Sequence, residues 1–317
     1  MPFRVFRSLS DVPADFGPSA LTIGNFDGVH AGHCVLLHRV VELGRSHSWT
    51  PSVLTFDPHP TKVVAPRRAP RLLTTIEQRF EMLRDQGIEQ VLALPFTAEV
   101  AKLTPDEFAS QILAHALKAR AVVVGDNFRF GSHQAGDVAK LTALGEVHGF
   151  RVETAGEVSL RGRIVSSTEI RKLLGAGNIQ LANRLLGHPF ALEGDVVAGH
   201  GIGRSKTVPT LNLDTASEVL PANGVYITRT SDLDAPDRRW NSISNIGYRP
   251  TFEGKELSIE TFLLSPFDGN DPKRIRVEFL HRVREERKFD SPDALKAQIF
   301  RDAATAQKYF RRTRTIY

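Results

Sequence analysis

The chain has almost no cysteine: one residue, Cys34, in the whole sequence. That excludes an intrachain disulfide and points to a reducing compartment. Cys34 follows His33 on an amphipathic run, where it reads as a small buried apolar residue. Long apolar runs are also missing. None approaches the roughly 18 residues that a membrane helix requires, and no basic segment followed by an apolar stretch reads as a signal peptide. The expectation is a cytoplasmic protein with no membrane partner. Blocks of one charge are scarce too. The densest basic stretch, Arg311-Arg312-Thr313-Arg314, lies at the extreme C-terminus and reads as a solvated end. No basic patch with interleaved aromatics marks a nucleic-acid surface, so no such partner is expected. Internal repeats and low-complexity segments are absent.

What is present is enough for real cores. The 317 residues are 41% hydrophobic and 24% charged, with room for two domains. A net charge of +5 and an isoelectric point near 9.4 suit acidic ligands such as nucleotides.

The informative stretch is Leu21 to His33, Leu-Thr-Ile-Gly-Asn-Phe-Asp-Gly-Val-His-Ala-Gly-His. A short apolar strand runs into glycines, and an amphipathic helix follows with Leu36, Leu37, Val40, Val41 and Leu43 near one face. A helix N-terminus directly after a strand favours an anion, because its backbone N–H groups and dipole point there. His30 and His33 would add donors at that place, with Gly32 letting a phosphate chain approach. A zinc reading of His30, His33 and Cys34 lacks a second ligand cluster.

The strand and helix signals then alternate. Strands are expected at Ser52–Phe56, Val91–Leu94, Ala121–Val124 and Arg151–Thr154, and helices at Thr74–Gln86, after Thr104-Pro-Asp-Glu107, and at Val138–Val147. Nearly all-apolar strands separated by helices imply a parallel sheet covered on both faces. Its ligand would sit beyond the carboxyl ends of the strands at a switch point, which puts the loops Gly24–His33, Asp57–Pro60 and Gly125–Gly131 at one site. Two helices follow. The first begins at Val165-Ser-Ser-Thr-Glu-Ile-Arg171, where Ser166 and Glu169 are spaced as a capping box, and the second covers Ile179–Leu186. Beyond Gly187 the segments become short and β-rich: Gly194–Ala198, Leu211–Leu213, Gly224–Thr230, Ser242–Ile246, Ser258–Leu264 and Arg274–Phe279. Even spacing with Gly, Pro and Asn between them signals an antiparallel barrel or sandwich. A terminal helix carries Leu295, Ile299, Ala303 and Ala306 on one face, with Ser291 as N-cap and Pro292 first.

Within the second half, Gly199-His-Gly-Ile-Gly203-Arg204-Ser-Lys206-Thr207 fails as a P-loop. Ser205 precedes the lysine, and Val208-Pro209 stands where a helix should start. Alternation along Pro209-Thr210-Leu211-Asn212 puts Thr210 and Asn212 on one strand face, as oxygen donors for Mg2+ and phosphate.

Four ordered motifs resemble those of a known family. Gly24-Asn25-Phe26-Asp27-Gly28-Val29-His30-Ala31-Gly32-His33, Thr55-Phe56-Asp57-Pro58-His59-Pro60, Gly125-Asp126-Asn127-Phe128-Arg129-Phe130-Gly131 and Ser166-Ser167-Thr168-Glu169-Ile170-Arg171 look like the adenylyltransferase motifs of the bacterial bifunctional riboflavin kinase/FAD synthetases. The resemblance implies an α/β, Rossmann-like nucleotidyltransferase domain with a parallel sheet over 1–186. It would transfer AMP from ATP to FMN, giving FAD and pyrophosphate. ATP contacts then fall to Gly24, Asn25, Phe26, Asp27 and Gly28, with His30 and His33 on the phosphates and the transition state. Ser166, Ser167, Thr168 and Arg171 would hold the triphosphate from the far side. Asp27 has two open roles, orienting a histidine or binding Mg2+. Phe128 and Phe130 are either core or a flavin-side wall with Asn127 and Arg129 as its polar handle; His59 is a further flavin-side candidate.

The resemblance continues over 187–317, implying an antiparallel β-barrel riboflavin kinase domain with a terminal helix. Pro209-Thr210-Leu211-Asn212 is similar to the Pro-Thr-Ala-Asn motif of riboflavin kinases, which a glycine-rich flap precedes. Gly224-Val225-Tyr226, Asn245-Ile246-Gly247-Tyr248-Arg249-Pro250-Thr251-Phe252 and Arg276-Val277-Glu278-Phe279 match further motifs in order. ATP or flavin contacts are thereby implied for Gly199, Gly203, Arg204, Lys206, Thr210, Asn212 and Arg249, with Mg2+ at Thr210 and Asn212. Glu260, in Ser258-Ile259-Glu260-Thr261-Phe262, matches the family's catalytic base, taking a proton from the ribityl hydroxyl as it attacks the γ-phosphate. It is read as inward-facing if the alternation holds. Two departures stand out: Leu211 replaces alanine, and Lys206-Thr207-Val208 stands where Leu-Gly-Phe is usual. The expectation is a bifunctional enzyme with ATP, riboflavin, FMN and FAD as substrates and products, acting as a monomer or transient homo-oligomer. Retention of only one activity, and a flavin- or nucleotide-responsive RNA-binding protein on the same scaffold, are the alternatives.

Overall fold

The computed structural model describes residues 2–197, 210–251, 254–265 and 270–313; the side chains at 249–251, 254–256 and 292 lie outside that description. Two compact units meet between Ser167 and Thr168.

In the first unit the elements run β1 (Arg4–Phe6), β2 (Ser19–Ile23), α1 (Ala31–His47), β3 (Thr50–Phe56), α2 (Pro60–Val64), α3 (Ile76–Asp85), β4 (Gln90–Leu94), α4 (Pro105–Glu107), β5 (Ala119–Gly125), α5 (Val138–His148) and β6 (Arg151–Ala155), closed by a small hairpin of β7 (Ser159–Leu160) and β8 (Arg163–Ile164). Six strands form one parallel sheet in the order β1-β4-β3-β2-β5-β6. Alternating residues send Leu21, Leu54, Leu92 and Val122 into one core with Phe108, Ile112 and Leu141. Ala20, Val53, Val91, Ala121 and Val123 enter the other, against Leu37, Val40 and Leu83. Every residue of β2 and β4 is buried, as central parallel strands require. From β2 the chain moves outward through β3 and β4, and later returns to the other side of β2 as β5 and β6. The switch point is therefore at β2, and the Gly24–His33 loop leaves its carboxyl end.

Local signals set the helix ends. Thr75 and Gln78 form a reciprocal capping box at α3, as Thr104 and Glu107 do at α4. The helix after Thr104 is not a regular α-helix: past Glu107 it winds as a π-helix over Phe108–Ala116 and ends with Leu117 N–H on the Ile112 carbonyl.

In the second unit, α6 (Ser167–Gly175) and α7 (Ile179–Leu186) precede a closed barrel of β9 (Phe190–Val197), β10 (Thr210–Asp214), β11 (Gly224–Asp232), β12 (Arg239–Thr251), β13 (Gly254–Leu263) and β14 (Arg274–Arg284), followed by α8 (Pro292–Thr313). The compact boundary lies about twenty residues before the 186/187 division expected from sequence, because α6 and α7 are bonded to the barrel. Ala222 N–H donates to the Leu174 carbonyl, Asn183 Nδ2 donates to the Phe279 carbonyl at 2.7 Å, and Phe190 N–H donates to Asn183 Oδ1 at 2.8 Å.

The barrel interior is only partly apolar. Thr228, Thr230, Ser242, Ser244 and Thr261 are fully buried and form a ladder of hydroxyl bonds at 2.8–2.9 Å. The apolar face expected on the terminal helix holds at Ala306, which is fully buried, and Ala303, which packs against the same cluster, but not at Leu295. Leu295 is 42% exposed, and the stripe that docks is Gln298, Asp302, Ala306 and Phe310. The reason is Arg284 on β14: its guanidinium donates twice to Asp302 Oδ2, at 2.9 and 3.0 Å, and draws a polar residue inward.

Candidate active sites

In the first unit the Gly24–His33 loop is built to hold two imidazoles. Phe26, Gly28 and Val29 all have positive φ (49°, 80° and 35°), which coils the loop tightly beneath α1. Asp27 is 2% exposed. Its Oδ1 accepts from Leu73 N–H (2.8 Å) and Thr74 N–H (3.2 Å), pinning the loop to the segment before α3. Ser167 Oγ donates to the Asp27 carbonyl at 2.9 Å, so the serine motif meets the loop directly. His30 is the N-cap of α1, and its Nδ1 accepts from His33 N–H at 3.3 Å. The neutral ring therefore carries its proton on Nε2. The two imidazoles stack at 3.6 Å between centroids and 13° between planes, and Phe26 supports His33 from 5.1 Å. A Cβ at Gly32 would come within 3.2 Å of His30 Nδ1, so this glycine makes room for the histidine ring rather than only for a phosphate.

The electrostatics follow from that packing. Burial holds His33 well below the usual histidine range, and His30 and Arg79 push it further down. His33 Nδ1 is buried with no hydrogen-bond partner. Burial raises the Cys34 thiol, whose Sγ donates to the Val29 carbonyl at 3.7 Å. Among the described residues no group of three or more His, Cys, Asp or Glu side chains is placed to hold a metal ion.

The loops after β3 and β5 leave the same edge of the sheet. Gly24 N–H donates to the Leu54 carbonyl and Thr55 Oγ1 to the Asn25 carbonyl, which ties the first two loops together. His59 is half-buried, and its Nδ1 caps α2 by accepting from Thr61 N–H at 3.2 Å. After β5, Asn127 and Arg129 are exposed, with Arg129 3.6 Å from Asp137. The two phenylalanines divide: Phe130 is core against Phe108, while half-buried Phe128 stacks on Phe130 at 5.6 Å. Thr168 is exposed and Arg171 half-buried on α6, and both belong to the second unit.

In the second unit, strand register assembles a row. Asn212 on β10 pairs with Glu260 on β13, which pairs with Asn245 on β12; Thr210 pairs with Phe262. Directly opposed residues share a face with Cβ atoms about 5 Å apart. The face is the outer one. Leu211 (4% exposed), Ile259 (2%) and Thr261 (0%) fill the interior, so Glu260 points out of the barrel, a correction to the inward reading. Leu211 is thereby removed from the row, as its alternation predicts. Ser258 Oγ donates to Glu260 Oε1 at 3.2 Å. Thr210 Oγ1 and Asn212 Oδ1 are neutral oxygen ligands of the kind that suits Mg2+. Gly199, Gly203, Arg204 and Lys206 lie outside the described residues. So does the side chain of Arg249, whose backbone pairs with Glu256.

Comparison with known proteins matches both units. Residues 12–169 fit the family model described as FAD synthetase, and residues 186–310 the one described as riboflavin kinase. The bifunctional riboflavin kinase/FMN adenylyltransferase of Escherichia coli K12 is 37% identical over 307 residues, covering 97% of each chain. This chain belongs to that bifunctional family. A Pseudomonas fluorescens member is 36% identical over 310 residues, covering 96% of this chain and 97% of its own. A solved Streptococcus pneumoniae chain, described as a macrolide-efflux protein, shares the fold at TM-score 0.82 and 27% identity, covering 96% and 98%. No helix among the described residues is long and apolar enough to cross a membrane.

Sequence reading of this bifunctional family member missed Arg79. The residue is 3% exposed and falls at an apolar-stripe position of α3, three after Ile76 and four before Leu83. A charged residue at such a position was the available signal.

Proposed function

We propose that the chain phosphorylates riboflavin to FMN in residues 187–317 and adenylylates FMN to FAD in residues 1–186, as a cytoplasmic enzyme that works as a monomer or transient homo-oligomer. The observation that carries the first step is the outer-face row of Thr210, Asn212 and Glu260. Glu260 would accept the ribityl 5′-hydroxyl proton as that oxygen attacks the γ-phosphate of ATP. Thr210 and Asn212 would hold Mg2+, which neutralises phosphate charge when bound. Gly199, Gly203, Arg204, Lys206 and Arg249 are assigned ATP or flavin contacts.

The second step rests on the stacked histidines at the N-terminus of α1, with Gly24, Asn25 and the buried Phe26-Asp27-Gly28 turn forming the rest of the cradle. His30 and His33 would donate to phosphate oxygens as pyrophosphate leaves, with Ser166, Ser167, Thr168 and Arg171 on the triphosphate. Positioning and charge stabilisation suffice for such transfer, and no covalent intermediate is needed. Because Asp27 Oδ1 already accepts from two backbone N–H groups, its proposed role is to hold the loop rather than a metal ion. Asn127, Arg129, Phe128 and His59 are assigned to the flavin side.

Incubation with riboflavin, ATP and Mg2+ followed by chromatography of the flavins tests the reading. FAD is the expected product. FMN alone would contradict the adenylyltransferase assignment, and neither product would contradict both.

A further inference from the structure

Arg79 is the feature that the site as described does not use. It is 3% exposed, yet among the described residues no carboxylate lies within salt-bridge distance and its Nε has no hydrogen-bond partner. A buried cation is costly unless something compensates it, and folded chains normally supply the partner themselves. Here the carboxylates of Asp27, Asp57 and Glu77 act on it only through space. Asp27 is already committed to Leu73 and Thr74. Arg79 also acts electrostatically on His33, whose Nδ1 is likewise buried with no hydrogen-bond partner among the described residues. Among the described residues, Arg79 Nε and His33 Nδ1 are thus both buried without a partner, and the segment that leads into α3 is bonded through Asp27 to the loop that leads into the 17-residue α1.

We propose that Arg79 is the built-in cation of the adenylyl-transfer site, a positioning residue for the stacked histidines, so that a nucleotide polyphosphate becomes its counter-charge. The role rests on the adenylyltransferase reading above. Arg79 acts through His33: its fixed charge keeps the pair from capturing a proton in the free chain, and it adds to the field that receives the phosphates. The charged and titratable groups involved are His30 and Asp27 on the loop, Asp57 at the end of β3, and Glu77 and Arg79 on α3. With the guanidinium removed, His33 titrates at higher pH.

The test uses the full chain as Arg79→Met and Arg79→Lys. In the free protein, NMR titration of the imidazoles should move the His30/His33 pair to higher pH in Arg79→Met and leave it near wild type in Arg79→Lys. FMN adenylylation should fall on the order of a hundredfold in kcat/KM for Arg79→Met, with its acid limb displaced upward, and recover largely in Arg79→Lys. Riboflavin phosphorylation should be unchanged in both. Equal losses in both variants with unmoved histidine titration would overturn the proposal and make Arg79 a packing residue, as would an Arg79→Met enzyme of wild-type rate. A wild-type chain that forms no FAD would instead overturn the underlying reading.

Discussion

At the residue scale, the first site is organised by groups that oppose each other's charge. His33 is held below its ordinary pKa by burial, then by His30, then by Arg79. The unfolded chain, with histidine near 6.5, therefore binds the proton more tightly than the folded chain does. The neutral ring's contribution to stability is complete above about 6.5 and is lost as pH falls through the folded value. The two tryptophans make this measurable, since Trp49 lies in the first unit and Trp240 in the second. In a Trp240→Phe background, the urea midpoint read by Trp49 should fall between pH 7 and pH 5, and His33→Gln should flatten that fall. An unchanged slope would mean that His33 is not the group responsible. Several of these residue-level facts were legible in the sequence. The glycines and histidines after an apolar strand marked a tight turn at a helix N-terminus. What stayed hidden was the partner of each polar atom: that Asp27 pins a loop, that His30 caps its own helix, and that Arg79 is buried without a partner. Those depend on contacts between segments far apart in sequence, such as Asp27 with Leu73 and Ser167.

At the scale of elements, local chemistry was the better guide where one residue type dictates geometry. Thr75, Thr104, Asp137 and Asn178 cap the helices they precede, and Gly149 and Gly187 end theirs in left-handed conformations. On α8 periodicity held for Ala303 and Ala306 but missed Leu295, which is exposed, and the buried ion pair beside them. Asp302 (side chain 6% exposed) and Arg284 (19%) are both largely buried, and Gln298 Nε2 donates to Asp302 Oδ1 at 2.7 Å. Removing one member of a buried pair leaves the other uncompensated, a loss of about 3 kcal/mol. Asp302→Ala should therefore lower the stability of the second unit by about that amount, read by Trp240 fluorescence in a Trp49→Phe background. A loss well under 1 kcal/mol would mean that apolar packing by Ala306 and Phe310 alone holds the helix. The outward placement of Glu260 has the same origin in tertiary context. Strand alternation identified which residues share a face, but only barrel closure, with Thr261 and Ile259 inside, decided which face is solvent.

At the scale of the whole molecule, the two candidate sites stand on unrelated scaffolds within one chain. The parallel sheet places its site at the β2 switch point, where coiled loop, helix N-terminus and neighbouring strand ends converge. The barrel uses register instead, aligning Asn212, Glu260 and Asn245 across three strands on its outer wall. The change of grammar near Gly187, from apolar strands with helices to short strands with turns, made this division readable. The compact second unit also takes in α6 and α7, which look in sequence like a continuation of the first pattern and which Leu174 and Asn183 bond into it. The central claim is that the two sites work independently on successive reactions. It is tested by turnover of two single variants, with riboflavin phosphorylation and FMN adenylylation measured separately in each. The account predicts that His33→Ala abolishes FAD formation from FMN while phosphorylating riboflavin at the wild-type rate, and that Glu260→Ala does the reverse. Loss of riboflavin phosphorylation in His33→Ala, or of FMN adenylylation in Glu260→Ala, would contradict it.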